Sequence, residues 1–206
     1  DSEEHRNAVL NEFRKALAKS NRYAGYRINL ASEIARDALK DFPADGSPVA
    51  GAKINEAALE QAFEELRHYE RDRGRDSNAE EALALILKKE FDARLAMSGK
   101  GGESTLPEGL KPLLKKAQDA YKEAIALREK EVRNSKAMAT LLLQAAEAFL
   151  PGSPGDKTAE LFLKRALSLD QEREGVRYLL ARLRSERDAQ ASRIEATRML
   201  NEELEK

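Results

Sequence analysis

Apolar residues recur every three or four positions along nearly the whole chain, which is the spacing of one face of an α-helix. The stretch from Thr140 to Leu183 shows this most clearly, as two such segments joined by the turn LPGSPGDK and followed at once by a third. Runs of Val, Ile, Tyr and Phe, which strands prefer, are scarce. The pattern predicts an all-α protein of about seven helices, arranged as antiparallel hairpins.

Helix-ending and helix-starting residues divide the first half of the chain. One helix should stop at Pro43, ahead of the loop PADGSPVAG. The next should open near Asn55 and end around Gly74, and Ser77 or Asn78 can cap the one after it.

The segment SGKGGESTLPEG favours a flexible connection, because glycines, hydroxyl residues and a proline are concentrated in it. We therefore expect N-terminal helical hairpins over residues 1–98, a linker over 99–109 and a second group of helices over 110–206. This group should end in a capping helix from about Ser185 to Lys206. Whether the helix that starts near Pro112 breaks around Arg133 to Ser135 or continues into Thr140 stays open.

Two consecutive segments combine large and small residues in a definite order, which differs between the two segments. They are Leu142, Ala145, Ala146 and Phe149 in the first segment, and Ala159, Leu163, Ala166 and Gln171 in the second. This order resembles the tetratricopeptide repeat, a helix-turn-helix unit of about 34 residues that buries its apolar face by stacking on copies of itself. The proline that usually closes the unit is missing, since Gln171 stands in its place.

The resemblance continues into the next helix, which would begin near Glu174 with Leu180 and Ala181 as its large-small pair. Arg177 stands where a large apolar residue is usual. Upstream, ASEIARDALKDFP and AYKEAIAL have the spacing of a second helix without a partner in register. The match therefore covers residues 140–183, and an irregular bundle of helical hairpins is the alternative, because such hairpins share the same packing rules.

The resemblance implies a non-catalytic scaffold that binds another protein or peptide in a concave groove lined by first helices. With this register, the groove-facing residues are Thr140, Leu143, Glu147, Tyr178 and Arg182. We expect Tyr178 to anchor a partner, Arg182 to donate paired hydrogen bonds and Glu147 to disfavour acidic ligands. The alternative for Tyr178 is packing between adjacent helices.

The charge balance excludes a basic nucleic-acid binder. Of 206 residues, 36 are Lys or Arg and 37 are Asp or Glu, so the formal net charge is −1. Hydrophobic residues make up 41 % of the chain and aromatic residues 5 %, which suits a core of Ala and Leu.

The absence of cysteine excludes disulfides, thiolate metal sites and cysteine catalysis. No apolar run is long enough to span a membrane. The chain starts with Asp1, which a removed signal peptide, a lipid-anchored cysteine upstream or a start within a longer chain would explain. We expect export, with a cytoplasmic location as the alternative.

Two short motifs suggest chemistry that the rest of the chain does not complete. Glu65 and His68 have the spacing of di-iron bundle ligands, but a second motif needs another internal histidine, and the only other histidine is His5. Lys100-Gly101-Gly102 and Thr105 lack the Gly-Lys-Ser/Thr ending of a phosphate loop. We expect no catalytic residue, metal or cofactor.

Two other classes of function stay open. A self-assembling structural protein would use the charged helices of residues 108–136 and 173–206 as partner surfaces, although heptads are not sustained there. A helical enzyme would need a cluster of titratable groups that only the folded chain can show.

Overall fold

The computed structural model describes residues 8–9, 11–15, 25–43, 48–99, 106–131, 135–150, 157–173 and 175–189. Within these ranges the regular structure is helical, and no strand occurs. The predicted all-α fold class is therefore confirmed.

Residues 8–9 and 11–15 are helical, and seven further helices follow in this part of the chain. They are α1 (Gly25–Ala38), α2 (Glu56–Arg73), α3 (Ser77–Met97), α4 (Lys111–Glu131), α5 (Ser135–Phe149), α6 (Thr158–Leu169) and α7 (residues 176–189). A 3-10 turn at Glu108–Leu110 leads into α4. The point where the sequence left one long helix or two open lies outside the described residues, between the end of α4 at Glu131 and the start of α5 at Ser135.

Side-chain caps fix the starts of α2 and α3, and a glycine ends α2. The Asn55 side chain accepts a hydrogen bond from the Ala58 N–H (3.1 Å), and Gly74 ends the helix at a φ of 80°, a conformation that favours glycine. The cap of α3 is Asp76, which accepts from the N–H groups of Asn78 and Ala79. The expected cap at Ser77 or Asn78 is therefore wrong by one or two residues.

Neighbouring helices pair as antiparallel hairpins. The Asn55 N–H donates to the Ala38 carbonyl (3.0 Å), which joins the start of α2 to the end of α1. The Ser77 N–H donates to Glu131 Oε1 (3.1 Å), which joins the start of α3 to the end of α4. In the third pair, α5 and α6, the rings of Phe149 and Phe162 meet edge to face with centroids 5.5 Å apart.

Helices α1 and α3 lie side by side and run in the same direction. Their first turns line one shared pocket, with Ile28 and Ala82 in it, and their last turns line another, with Arg36 and Asp92. Small residues permit this approach. The core shared by α1, α2 and α3 consists of Leu30, Ala31, Ile34, Ala35, Ala38, Leu39, Leu59, Ala62, Leu66, Ala82, Ile86 and Ala93.

The chain divides into two compact units, Asp1–Val132 and Arg133–Lys206. The sequence placed the boundary at residues 99–109, but α4 packs along α3, so the helices on both sides of that segment belong to the first unit. The boundary falls after α4 because the apolar face of α4, with Leu114, Ala117 and Tyr121, is buried against this unit.

No helix in the described ranges is both long enough and apolar enough to cross a membrane.

Candidate functional site

The three groove residues predicted on α5 share one narrow stripe of that helix. Thr140, Leu143 and Glu147 are spaced by three and four positions, which places them on one face. Leu142 and Ala146, the residues just before Leu143 and Glu147, are fully buried. The Thr140 hydroxyl donates to the Lys136 carbonyl (3.0 Å), so its polar group is already satisfied within the helix.

Tyr178 lies on the solvent side of α7. Its side chain is 70 % exposed, whereas Val176, Leu179 and Leu183 of the same helix are buried. The alternative that Tyr178 packs between helices is therefore wrong. An aromatic side chain with this exposure is available for contact with another molecule.

The buried face of α7 is displaced by one residue from the predicted one. The expected pair was Leu180 and Ala181, but Ala181 is exposed and Leu180 is half-buried. The repeat needs a large buried residue near the start of this helix, and Val176 fills that place. The predicted register, shifted by one residue, had put Arg177 there. Tyr178 and Arg182 consequently point about 100° farther round their helix than the register required.

Arg182 lies one turn after Tyr178 on the same face of α7. Its Nε donates to Glu186 Oε1 at 2.7 Å, and both side chains are about half exposed. The hydrogen bond from Arg182 to this carboxylate raises the pKa of Arg182 above its usual value. Exposed pairs of this kind contribute only about 0–1 kcal/mol, so a carboxylate from another molecule can replace Glu186 at little cost.

Gly175 brings the start of α7 to the stripe on α5. It has a φ of 83°, which favours glycine, and a Cβ there would lie 3.9 Å from Leu143 Cδ2. Leu143 therefore lies beside the residue that precedes α7, one turn before Tyr178.

A second candidate surface lies where α1 and α3 end. A cleft of about 490 Å³ has Leu39, Phe42, Pro43 and Ala93 among its apolar walls. Lys40 and Lys89 line it as well, and neither makes an ion pair within the described residues. Sequence reasoning missed this cleft because its two walls are about fifty residues apart in the chain; Pro43, which ends the helical pattern, was the only local signal.

The motif of Glu65 and His68 does not form a ligand pair. Glu65 Oε2 accepts from Arg27 Nη1 at 2.8 Å, and His68 Nε2 lies 3.8 Å from Glu64 Oε2. In the part of the chain that the structure describes, no three His, Asp, Glu or Cys side chains could hold a metal ion together. His5, Lys100, Gly101, Gly102 and Thr105 lie outside the described residues.

The polar partners of Ser77 resemble those of an activated catalytic serine, but its side chain is closed to substrate. Its Oγ donates to Glu131 and accepts from Arg128 Nε (2.7 Å), and Arg128 also donates to Glu81 (2.8 Å). Because Ser77 is fully buried, no substrate can reach it. The cluster instead ties the end of α4 to the start of α3, where a carboxylate is favoured by the helix dipole.

Comparisons with models of protein families, with curated proteins and with solved structures found no match to this chain. The function proposed below therefore depends on the geometry of the described residues.

Proposed function

We propose that this protein is a non-catalytic scaffold that binds another protein or peptide through the exposed face of α7. The observation that carries the proposal is the exposure of Tyr178 on a helix whose opposite face is buried. Aromatic residues and arginines dominate measured binding energies at protein interfaces, and Arg182 lies one turn away. The surface continues toward α5 through Leu143, beside Gly175.

The hairpin architecture supports this proposal. Parallel neighbouring helices such as α1 and α3, each followed by an antiparallel partner, are also what a tetratricopeptide-like stack requires. The residues that resemble the repeat are those that hold α5 against α6, since Leu142, Ala146 and Ala166 are fully buried. The role of these residues is packing, so recognition falls to exposed groups.

The electrostatics favour a partner segment with a carboxylate. Arg182 already holds the carboxylate of Glu186, which shows that its guanidinium can receive one. Glu147, exposed on α5, would oppose an acidic segment that extends over the α5 stripe. The proposed ligand is therefore a peptide that places an acidic residue near Arg182 and an apolar or aromatic residue on Tyr178.

Quantitative capture tests this proposal. The parent, Tyr178→Ala and Met97→Ala are immobilised in equal amounts, and the proteins retained from the native extract are compared by mass spectrometry. Met97 is a suitable control because it is also an exposed apolar side chain, at the end of α3. We expect a partner retained by the parent and by Met97→Ala to be lost with Tyr178→Ala, whose binding should fall by about 2 kcal/mol.

Equal retention by all three proteins would contradict the proposal. Thermal melts of the two variants establish that the comparison is between folded proteins, because neither side chain is buried.

A further inference from the structure

A trough of about 700 Å³ runs over α3 between α2 and α4. Its floor is a single stripe of α3, formed by Glu80, Leu83, Leu87 and Glu90 at spacings of three and four. From the first to the last of these positions, the floor is roughly 15 Å long. That length matches about three turns of a bound helix.

The walls of the trough add apolar side chains that are not fully buried. Phe63 projects from α2 and Leu113 from α4, and both are half-buried, as is Leu83 on the floor. A concave surface with helices as its floor and walls, and with apolar residues along it, suits the apolar face of an amphipathic helix.

One end of the trough has negative charge that this chain leaves partly unmatched. Glu80 is 1 % exposed; Arg75 Nη2 lies 2.8 Å from its Oε1, but this oxygen receives no well-oriented hydrogen bond. Glu123, on α4, lines the same end and makes no ion pair with any residue that the structure describes. Arg75 stays with Glu80, because separating the two would leave a buried carboxylate without its cation.

The other cations of the trough are engaged or distant from this end. Arg67 binds Glu64 at 2.9 Å and is also paired with Glu60. Lys116, seven residues before Glu123 on α4, lies about 10 Å from it along the helix axis. A cation supplied by a partner therefore has a place at Glu123, and a carboxylate has a place near Lys116.

We propose that this trough binds an amphipathic helix of another protein, with leucine-like residues on the floor and an arginine or lysine at the end formed by Glu80 and Glu123. The basic side chain pairs with Glu123, beside the buried ion pair of Arg75 with Glu80. This site lies in the first unit and does not depend on the function proposed for α7.

Two matched peptides test the proposal. Both are acetylated, amidated helices of about 14 residues with the same leucine stripe, long enough to cover the floor. One carries arginine at the position level with Glu123 and the other carries glutamate there. We expect the arginine peptide to bind the parent at least about tenfold more tightly in a fluorescence anisotropy titration, because like charges oppose the other peptide.

Charge changes in the protein identify the site. Glu123→Arg should weaken binding of the arginine peptide about tenfold and reverse the preference between peptides, whereas Lys116→Glu should leave its binding unchanged or stronger. Glu129→Arg, exposed on α4 and outside the trough, makes the same change in net charge as Glu123→Arg and should have no effect. Glu123 is half-buried, so its replacement should not unfold the protein.

Failure of the arginine peptide to bind, equal binding of both peptides, or insensitivity to Glu123→Arg would each overturn the proposal. A dimer of the parent that Glu123→Arg dissociates in sedimentation would also overturn it, because the occupant would then be a second copy of this chain.

Discussion

The buried hydroxyl of Tyr69 links α2 to the cap of α3. Tyr69 lies near the end of α2, is 8 % exposed, and donates a hydrogen bond to Asp76, the cap of α3. Burial, together with this hydrogen bond, raises the pKa of Tyr69 from 10.0 to about 12. The folded state therefore favours the neutral phenol, and the stability this provides is complete below pH 10 and is lost as the pH rises through about 12.

Tyr69→Phe should lower the free energy of unfolding by about 1–2 kcal/mol at pH 8, because it removes a hydrogen bond to a carboxylate. The difference between parent and variant should shrink as the pH rises above 10. Urea unfolding at pH 8 and at pH 11 measures both values. Tyr178→Phe, at an exposed position, is the control and should change little. A difference for Tyr69→Phe that stays constant with pH would contradict this account.

Glu160 provides the opposite dependence on pH. The side chains of Lys164 (2.7 Å) and Arg187 (2.8 Å) hydrogen-bond its carboxylate and lower the pKa of Glu160 from 4.5 to about 2. The folded state favours the charged form, so this stabilisation is complete above pH 4.5 and is lost as the pH falls through about 2.

Glu160→Gln should lower the melting temperature at pH 6, and the difference from the parent should be smaller at pH 3, because the carboxylate there is increasingly protonated in the unfolded chain. Differential scanning calorimetry of the parent and the variant at both pH values measures the difference in melting temperature. Glu186→Gln, which removes the exposed partner of Arg182, is the matched control and should have little effect on the melting temperature at either pH. An equal or larger deficit for Glu160→Gln at pH 3 would show that Glu160 acts by packing and not by charge.

The pairing of α5 with α6 depends on alanines that leave no room for a larger side chain. Ala146 and Ala166 are both fully buried. Replacing either with leucine should overpack the interface and lower the free energy of unfolding by roughly 1–3 kcal/mol. Ala181→Leu is the control, since Ala181 is exposed on α7.

Chemical denaturation of the three leucine variants measures these effects. If Ala181→Leu destabilises as much as Ala146→Leu and Ala166→Leu, the buried faces assigned to α5, α6 and α7 are wrong.

Local residue chemistry predicted the helices better than it predicted their partners. Asn55 and Gly74 act on backbone groups within a few residues, so their capping roles could be read from the sequence. The shift on α7 could not, because Arg177 and Val176 are adjacent and either register gives a helical period. Only packing against other helices decides which of them is buried.

Only part of the predicted site could be derived from the sequence, because the sequence does not show how helices pack against one another. Leu143 and Glu147 follow from the pattern of α5, but the exposure of Tyr178 depends on the register of α7. The trough over α3 had no local signal, since Phe63, Glu80 and Glu123 come from three helices. Such a surface exists only once the hairpins have packed.

Each of the two units carries one of the proposed binding surfaces. The first, Asp1–Val132, contains the trough over α3, and the second, Arg133–Lys206, contains Tyr178 and Arg182. The glycine-rich segment near residue 100 led us to place the boundary between the units there. Composition shows where a chain can bend, but not which helices pack together. Interactions between α3 and α4, such as that of Ser77 with Glu131, decide it instead.

Site-specific photocrosslinking tests the central claim most directly, which is that the exposed face of α7 binds another protein. A photoreactive phenylalanine analogue replaces Tyr178 in one variant and Ala189 in another, an exposed position roughly 16 Å farther along the same helix. Irradiation in the native extract should yield a discrete covalent adduct with a second protein from position 178, in excess over position 189. Adducts of equal yield at both positions, or none at position 178, would contradict the account.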